Sequence, residues 1–309
     1  MVTVLLAAYN GEGYLGEMIA SLKAQEAQDF RVLWQDDGSS DATFGMLDAA
    51  TVLDARFRPG LTHGQRLGPA GNFLSLMAQD DAPYTALCDQ DDVWRPAKLR
   101  RCLEALRKAE ARFGADTPLL VHHDCCLTDA DGEELHPSFF RHQGWDGSAR
   151  TLPQLLVQNN VTGCTCVMNA ALRRLVADHA RAGEIFMHDW FIALTAAAFG
   201  HIIFLDEPLV NYRQHGGNAL GASRHGLLRR GLSALSTPER ARERIRLTYR
   251  QARAFRDAYG DLLPAGAAAI VDGYLAIEAL PKRKRIAALK RGGYLMQSSI
   301  ARMGQMIFT

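Results

Sequence analysis

A doubly wound, mostly parallel α/β sheet is the fold class this sequence predicts, on three observations. Short apolar runs alternate with segments of helical apolar spacing over residues 1–110, and such alternation builds βαβ units. The runs VTVLLAA at 2–8 and YTALC at 84–88 are almost unbroken in their apolarity, as expected of strands covered on both faces. Polar clusters end the strands: AYNGE at 8–12, QDDGSSD at 35–41 and DQDD at 89–92. Doubly wound sheets bind ligands beyond the carboxyl ends of their strands, so three clusters at one edge make one site.

The elements follow in order. Strand 2–8 leads into a helix over 12–25, where Tyr14, Leu15, Met18, Ile19 and Leu22 recur at helical spacing. FRVLW at 30–34 reads as the second strand, and Ser39, Ser40 and Asp41 can cap a helix over 41–51. A short strand, a Gly-Pro-Ala-Gly turn at 68–71 and a helix over 70–80 precede the strand at 84–88, and KLRRCLEALRKA from residue 98 is the next helix. Beyond it come a strand at 119–127, a hairpin-like turn in TDADGEEL at 128–135, a strand at 161–168 and helices over 169–182 and 186–199. A late strand at 201–205 and an extended segment over 206–218 complete this part, and from about 224 the pattern is helical and basic. TDADGEEL has the acids of a calcium loop without its downstream ligand spacing.

With 48% apolar and 22% charged residues, the 309-residue chain has an ordinary globular composition and room for one large domain plus an appendage. A formal net charge of +1 gives no global basic field for nucleic acid. No stretch approaches the ~20 apolar residues that span a bilayer. The opening MVTVLLAAYNGEGYL has no basic leader and reads as a strand, not a signal peptide. The six cysteines, Cys88, Cys102, Cys125, Cys126, Cys164 and Cys166, lack C-x-x-C spacing and read as reduced structural thiols. A cytoplasmic protein is expected.

Three carboxylates, Asp89, Asp91 and Asp92, fall within four positions of CDQDDVW at 88–94. Acids this close raise each other's pKa unless something positive sits among them. A solvated, helix-capping turn is one reading; a hard divalent cation with oxygen ligands is the other. Asp189 begins a strongly apolar helix, where a carboxylate can cap the helix or accept a proton. A helix N-terminus would hold its pKa down.

The chain resembles the inverting glycosyltransferases of family two, whose GT-A fold is a Rossmann-like, mostly parallel central sheet flanked by helices. The matching pieces are VTVLLAAYNGEGYL at 2–15, VLWQDDGSSDAT at 32–43, LGPAGNF at 67–73, LCDQDDVWRPAKL at 87–99, NNVTGCTCVMN at 159–169, MHDWFIALTAAAFG at 187–200 and LDEPLVNYRQHGGN at 205–218. Within the family, DQDDVW, GCT, HDW and YRQHGGN look most like bacterial rhamnosyltransferase-like members, which build surface polysaccharides or lipopolysaccharide from nucleotide sugars. The resemblance implies a catalytic domain over 1–222, with a nucleotide-binding half over 1–110 and an acceptor half over 111–222. A basic helical appendage over 223–309 would follow.

The resemblance also implies roles. Asp91 would ligate Mn²⁺ or Mg²⁺, and Asp89 would hold the ribose, a metal-bound water or the metal. Asp92 would face Arg95 or cap the following helix. Asp37 would read the base, Ala8 and Tyr9 would flank the nucleotide, and Glu12 would lie near it. His215 would be a third metal ligand or a pyrophosphate contact, with Arg213 neutralising a phosphate beside it. Gly216 and Gly217 would let that loop close as a lid. Asp189 would be the general base, Thr165 would bond an acceptor hydroxyl, and Trp190 would stack on a sugar or pack in the core. The donor would be dTDP- or UDP-linked and the acceptor a glycan or lipid-linked glycan. The Q-x-x-R-W motif of processive members is absent, which favours adding one sugar or a short defined number.

Two other classes stand beside this one. A sugar nucleotidyltransferase would carry an early G-x-G-T-R-type loop, which AYNGEGYL at 8–15 lacks. A nucleotide- or glycan-binding scaffold would keep the fold without the chemistry. The tail holds Arg240, Arg242, Arg244, Arg246, Arg250, Arg253 and Arg256, then six basic residues and no acid in PKRKRIAALKR at 281–291. Residues 281–308 could contact an anionic membrane, pack on the catalytic domain or join a homodimer partner.

Overall fold

A computed structural model describes residues 1–215 and 238–309. One mixed sheet organises them. Its strands are β1 (Val2–Ala8), β2 (Phe30–Asp36), β3 (Phe57–Pro59), β4 (Tyr84–Asp89), β5 (Val93–Trp94), β6 (Leu119–Thr128), β7 (Glu134–His136), β8 (Val167–Asn169) and β9 (His201–Arg213). The order is β3-β2-β1-β4-β8-β6-β9-β5, with β7 paired to β6. The β3-β2-β1-β4 half is wholly parallel, and β6 and β9 are parallel along their length. β8 runs antiparallel between β4 and β6, and β5 runs antiparallel to β9.

The unbroken apolarity of β1 has a direct structural cause. Val2, Val4, Leu6 and Ala8 face one hydrophobic cluster, while Leu5 faces the other. The first cluster is covered by α1 (Glu12–Lys23), α2 (Thr43–Leu53) and α4 (Lys98–Phe113). The second is covered by α3 (Gly68–Gln79), α6 (Leu152–Val157), α7 (Ala170–His179) and α8 (His188–Phe199). The short α5 (Phe139–Gln143) packs on β6.

Four helices follow the undescribed segment: α9 (Pro238–Tyr259), α10 (Ala265–Ile277), α11 (Lys282–Gly292) and α12 (Ser299–Phe308). They are no detached appendage. Tyr249, Ala252, Phe255 and Tyr259 of α9, Val271 and Tyr274 of α10 and Leu289 of α11 lie in the same cluster as Leu5, Phe73 and Phe191. The expected boundary at 222/223 and the Gly216-Gly217 lid lie outside the described residues, as does the first helical stretch from 224.

The structure corrects three local expectations. Residues 161–168 are not one strand: Gly163–Thr165 form a 3-10 turn, and only Val167–Asn169 pair as β8. The late strand is far longer than 201–205, because the segment through Arg213 continues the pairing with β6 past two irregularities near Asp124. At α2 the N-cap is Ala42, and the serines do not cap it. Asp41 Oδ1 accepts from Thr43 N at 3.0 Å, while Ser39 Oγ accepts from Asn10 N at 2.9 Å.

Candidate active site

The carboxyl ends of β1, β2 and β4 converge, as parallel register requires: Ala8 pairs with Asp36 and Ala7 with Asp89. Gln90 clamps the two outer turns. Its Oε1 accepts from Tyr9 N at 2.6 Å and its Nε2 donates to Tyr9 O at 2.7 Å. This residue between the two aspartates was missed in the sequence, where it reads as filler. Tyr9 is 45% exposed at the rim, and Ala8 is buried with its carbonyl accepting from Asp37 N at 2.8 Å.

Asp36 braces its own turn by accepting from Gly38 N and Ser39 N, both at 3.0 Å. Asp37 is buried, and its two oxygens accept from Leu67 N at 2.6 Å and Gly68 N at 2.8 Å, fixing the start of α3. Each carboxylate oxygen retains a further acceptor direction. Glu12 accepts from Ala42 N at 2.8 Å, tying α1 to the start of α2.

The acid cluster has two levels. Toward the outside, Asp91 Oδ2 lies 2.8 Å from His215 Nε2, and the His215 ring stacks on Tyr14 at 4.6 Å. Below, Asp92 is fully buried, with Oδ1 accepting from Arg213 N at 3.1 Å. An Asp92 oxygen, an Asp89 oxygen and Cys164 Sγ all lie within 4.8 Å of one another. Asp92 therefore neither faces Arg95, which donates to Asn211 at 3.1 Å, nor caps α4, which has no side-chain cap. Asp89 is pushed up to about 7 by burial first, then by the charges of Asp91 and Asp189, with Lys98 opposing. Burial, then the charges of Asp91 and Asp89, hold Asp92 well above the carboxylate range against hydrogen bonds from Cys164 and the Arg213 backbone.

Lys98 is the second residue the sequence did not disclose. It is completely buried, donates to Cys164 O at 2.6 Å and lies 3.1 Å from the Trp94 ring centroid. In KLRRCLEALRKA it looks like one more surface cation of an amphipathic helix. Its burial comes from its place at the first turn of α4, directly behind the acids.

Arg213, expected to face a phosphate, is 3% exposed and acts as a brace. Its guanidinium donates to Glu17 at 2.6 Å, Ala130 O at 2.7 Å and Asp91 O at 3.0 Å. Together with its backbone bond to Asp92, these contacts hold the acid loop against the end of β9.

Asp189 lies in the first turn of α8, whose N-cap is Met187. Its Oδ1 accepts from Trp190 N at 2.6 Å and Asn159 Nδ2 at 3.2 Å. The expected downward pull of the helix end is overridden. Burial pushes Asp189 up to about 7 against backbone N–H donors from Trp190, Gly163 and Asp189 itself. Its neighbour His188 is buried and stacked on Phe73 at 4.4 Å, and burial pushes it down to about 3, so it stays neutral.

On the acceptor side, the structure takes the core reading of Trp190 and buries Thr165. Trp190 is 7% exposed and donates Nε1–H to Leu155 O at 2.7 Å, so its ring is core and offers no face to a sugar. Thr165 is 1% exposed and donates its hydroxyl proton to Thr162 O at 2.7 Å inside the 3-10 turn.

Asp91 and His215 offer the oxygen and imidazole donors that a divalent ion takes, whereas Asp89 groups instead with Asp92 and Cys164. Burial is the first cause of the raised Asp89 and Asp92 carboxyl groups, and the neighbouring acids add to it.

Acids gathered at the carboxyl ends of parallel strands are the arrangement of an enzyme that binds and transfers a group there. The comparisons agree. The family model described as Glycosyl transferase family 2 matches residues 3–178. This chain belongs to that family and is a glycosyltransferase. It is 24% identical to the dTDP-rhamnosyl transferase RfbG of Shigella flexneri over 228 residues, covering 71% of this chain and 74% of that one. An uncharacterized glycosyltransferase of Nostoc is 28% identical over 230 residues, 70% of this chain and 66% of that one. The crystal structure of S. aureus TarS 1–349 in complex with UDP-GlcNAc superposes with a TM-score of 0.54 at 14% identity, covering 99% of this chain and 90% of that one. The mannosyltransferase PcManGT from Pyrobaculum calidifontis, in complex with GDP-Man and Mn²⁺, gives 0.52 at 13% identity over 99% and 87%. These likenesses place the fold in the GT-A class.

Proposed function

We propose that this chain is a metal-dependent, inverting, non-processive transferase. It moves a hexose or deoxyhexose, L-rhamnose being the favoured case, from a dTDP- or UDP-linked donor to a hydroxyl of a surface-polysaccharide or lipid-linked glycan. One observation carries this reading: the turn Gly163–Thr165 touches both groups, with Gly163 packed against Asp189 and Cys164 Sγ within 4.8 Å of an Asp89 oxygen. Inversion requires that division of labour, with a proton acceptor on one side of the sugar and diphosphate-binding groups on the other.

The chain's residues divide the work. The Asp189 carboxylate takes the proton of the acceptor hydroxyl as that oxygen attacks the anomeric carbon, and Asn159 holds the carboxylate in orientation. Asp91, Asp89 and His215 would hold Mn²⁺ or Mg²⁺, which when bound neutralises charge on the departing diphosphate. Arg213 keeps Asp91 and Asp92 at fixed height. Asp37 accepts the imide N–H of uracil or thymine with the acceptor directions that α3 leaves it, and Tyr9 covers the base. The rhamnose preference rests on the likeness to RfbG.

Calorimetric titration of dTDP, UDP and GDP with and without Mn²⁺ tests the reading, followed by transfer assays with the matching sugar donors. Metal-dependent binding of dTDP or UDP, abolished in Asp91→Ala, is expected. Absence of nucleotide binding with every metal would overturn it.

A further inference from the structure

The last 31 residues hold the molecule's positive charge. Residues 279–309 contain seven Lys and Arg and no Asp or Glu, while the rest of the chain carries 28 basic and 34 acidic groups. Folding gathers this charge beside an apolar surface. α11 presents Lys282, Arg283, Lys284, Lys290 and Arg291 to solvent. α12 packs on α9 and touches α11 where Lys282 Nζ donates to Ile307 O. Between the two helices runs a groove of about 400 Å³ lined by Lys290, Leu295, Ser299, Arg302, Met303 and Met306. Met303 is 48% and Ile307 41% exposed, although both are apolar.

We propose that the α11–α12 face docks this enzyme on an anionic lipid surface. Cationic side chains around exposed apolar ones suit an interface where headgroups meet the basic rim and the methionines enter the acyl boundary. No described helix is long and apolar enough to cross a membrane, so such contact is peripheral. The charge separation favours lipid over a second copy, because two such faces brought together would set seven cations against seven. Docking deepens the proposed use of a lipid-linked acceptor but needs no turnover.

Flotation of the full chain with vesicles tests the proposal, with Asp189→Asn as the protein so that binding is read without chemistry. Strong binding to phosphatidylglycerol-containing vesicles, weak binding to pure phosphatidylcholine, and loss in high salt are expected. Lys284→Ala combined with Arg291→Ala, both on exposed positions, lowers partitioning roughly 25-fold at about fivefold per cation. Met303→Gln weakens binding to anionic vesicles without changing its salt dependence. Equal binding to neutral vesicles, no binding to anionic ones, or a dimer in solution that Met303→Gln dissociates would each overturn the proposal. Sugar transfer by the parent with no flotation of the variant refutes docking alone; flotation with no nucleotide binding refutes the transferase reading alone.

Discussion

In its proposed role as general base, Asp189 draws on burial that outweighs the backbone donors around it. Its folded pKa lies above the ordinary carboxylate value, so its contribution to stability is present at acid pH and is lost as pH rises through about 7. Catalysis needs the ionised form and runs the other way. We expect kcat/KM to fall as pH drops below about 7, with Asp189→Asn losing ~10²–10⁴-fold in rate while keeping donor affinity. The same variant is expected to melt higher than the parent at pH 8, with the gap closing toward pH 4. Thermal scans across pH read the second effect, and initial rates read the first. Lys98 gives the complementary case. Lys98→Met removes the cation behind Asp89 and Asp92 and orphans Cys164 O, so the metal-free fold loses ~1–3 kcal/mol at pH 8. Mn²⁺ then raises its melting temperature more than the parent's. An unchanged melting temperature would show that Lys98 is not the counter-charge.

At the scale of elements, the site depends on junctions. Gly200 joins α8 to β9, and a Cβ there would sit 1.8 Å from Pro118 O. Gly200→Ala must push α8 off the end of β6, and denaturant melts are expected to show a loss of ~3 kcal/mol or more. This scale also shows what the sequence disclosed. Strands β1, β2 and β4 and their terminal acids were legible because double-sided burial leaves an apolar run and the ligand edge a polar stop. The 3-10 turn at 163–165 was not, because VTGCTCVM has strand composition and only its packing beneath Asp189 bends it. Trp190 and Thr165 carry side chains that suit a sugar; a tertiary contact with Leu155 and a local one with Thr162 turned them inward. Lys98 was hidden for the opposite reason, since nothing in an amphipathic repeat marks which lysine the fold will bury.

For the whole molecule, the shared core means that the catalytic sheet does not stand without the later helices. Deleting 238–309 exposes the surfaces of α6 and α8 that Tyr249, Phe255, Tyr259 and Val271 cover, and the remaining piece is expected to be insoluble or to lack a cooperative melt. A soluble, cooperatively melting 1–237 fragment would contradict this. The cluster that joins Leu5 to Tyr294 also sets a clock. At ~5–20 residues per second, a ribosome needs several seconds to deliver α9 through α11 after β9 has emerged. During that interval the sheet is present but one of its faces is unfinished. Contacts spanning so much of the chain close last and slowly, so each new copy passes through a vulnerable adolescence in which a chaperone can stand in for helices not yet made.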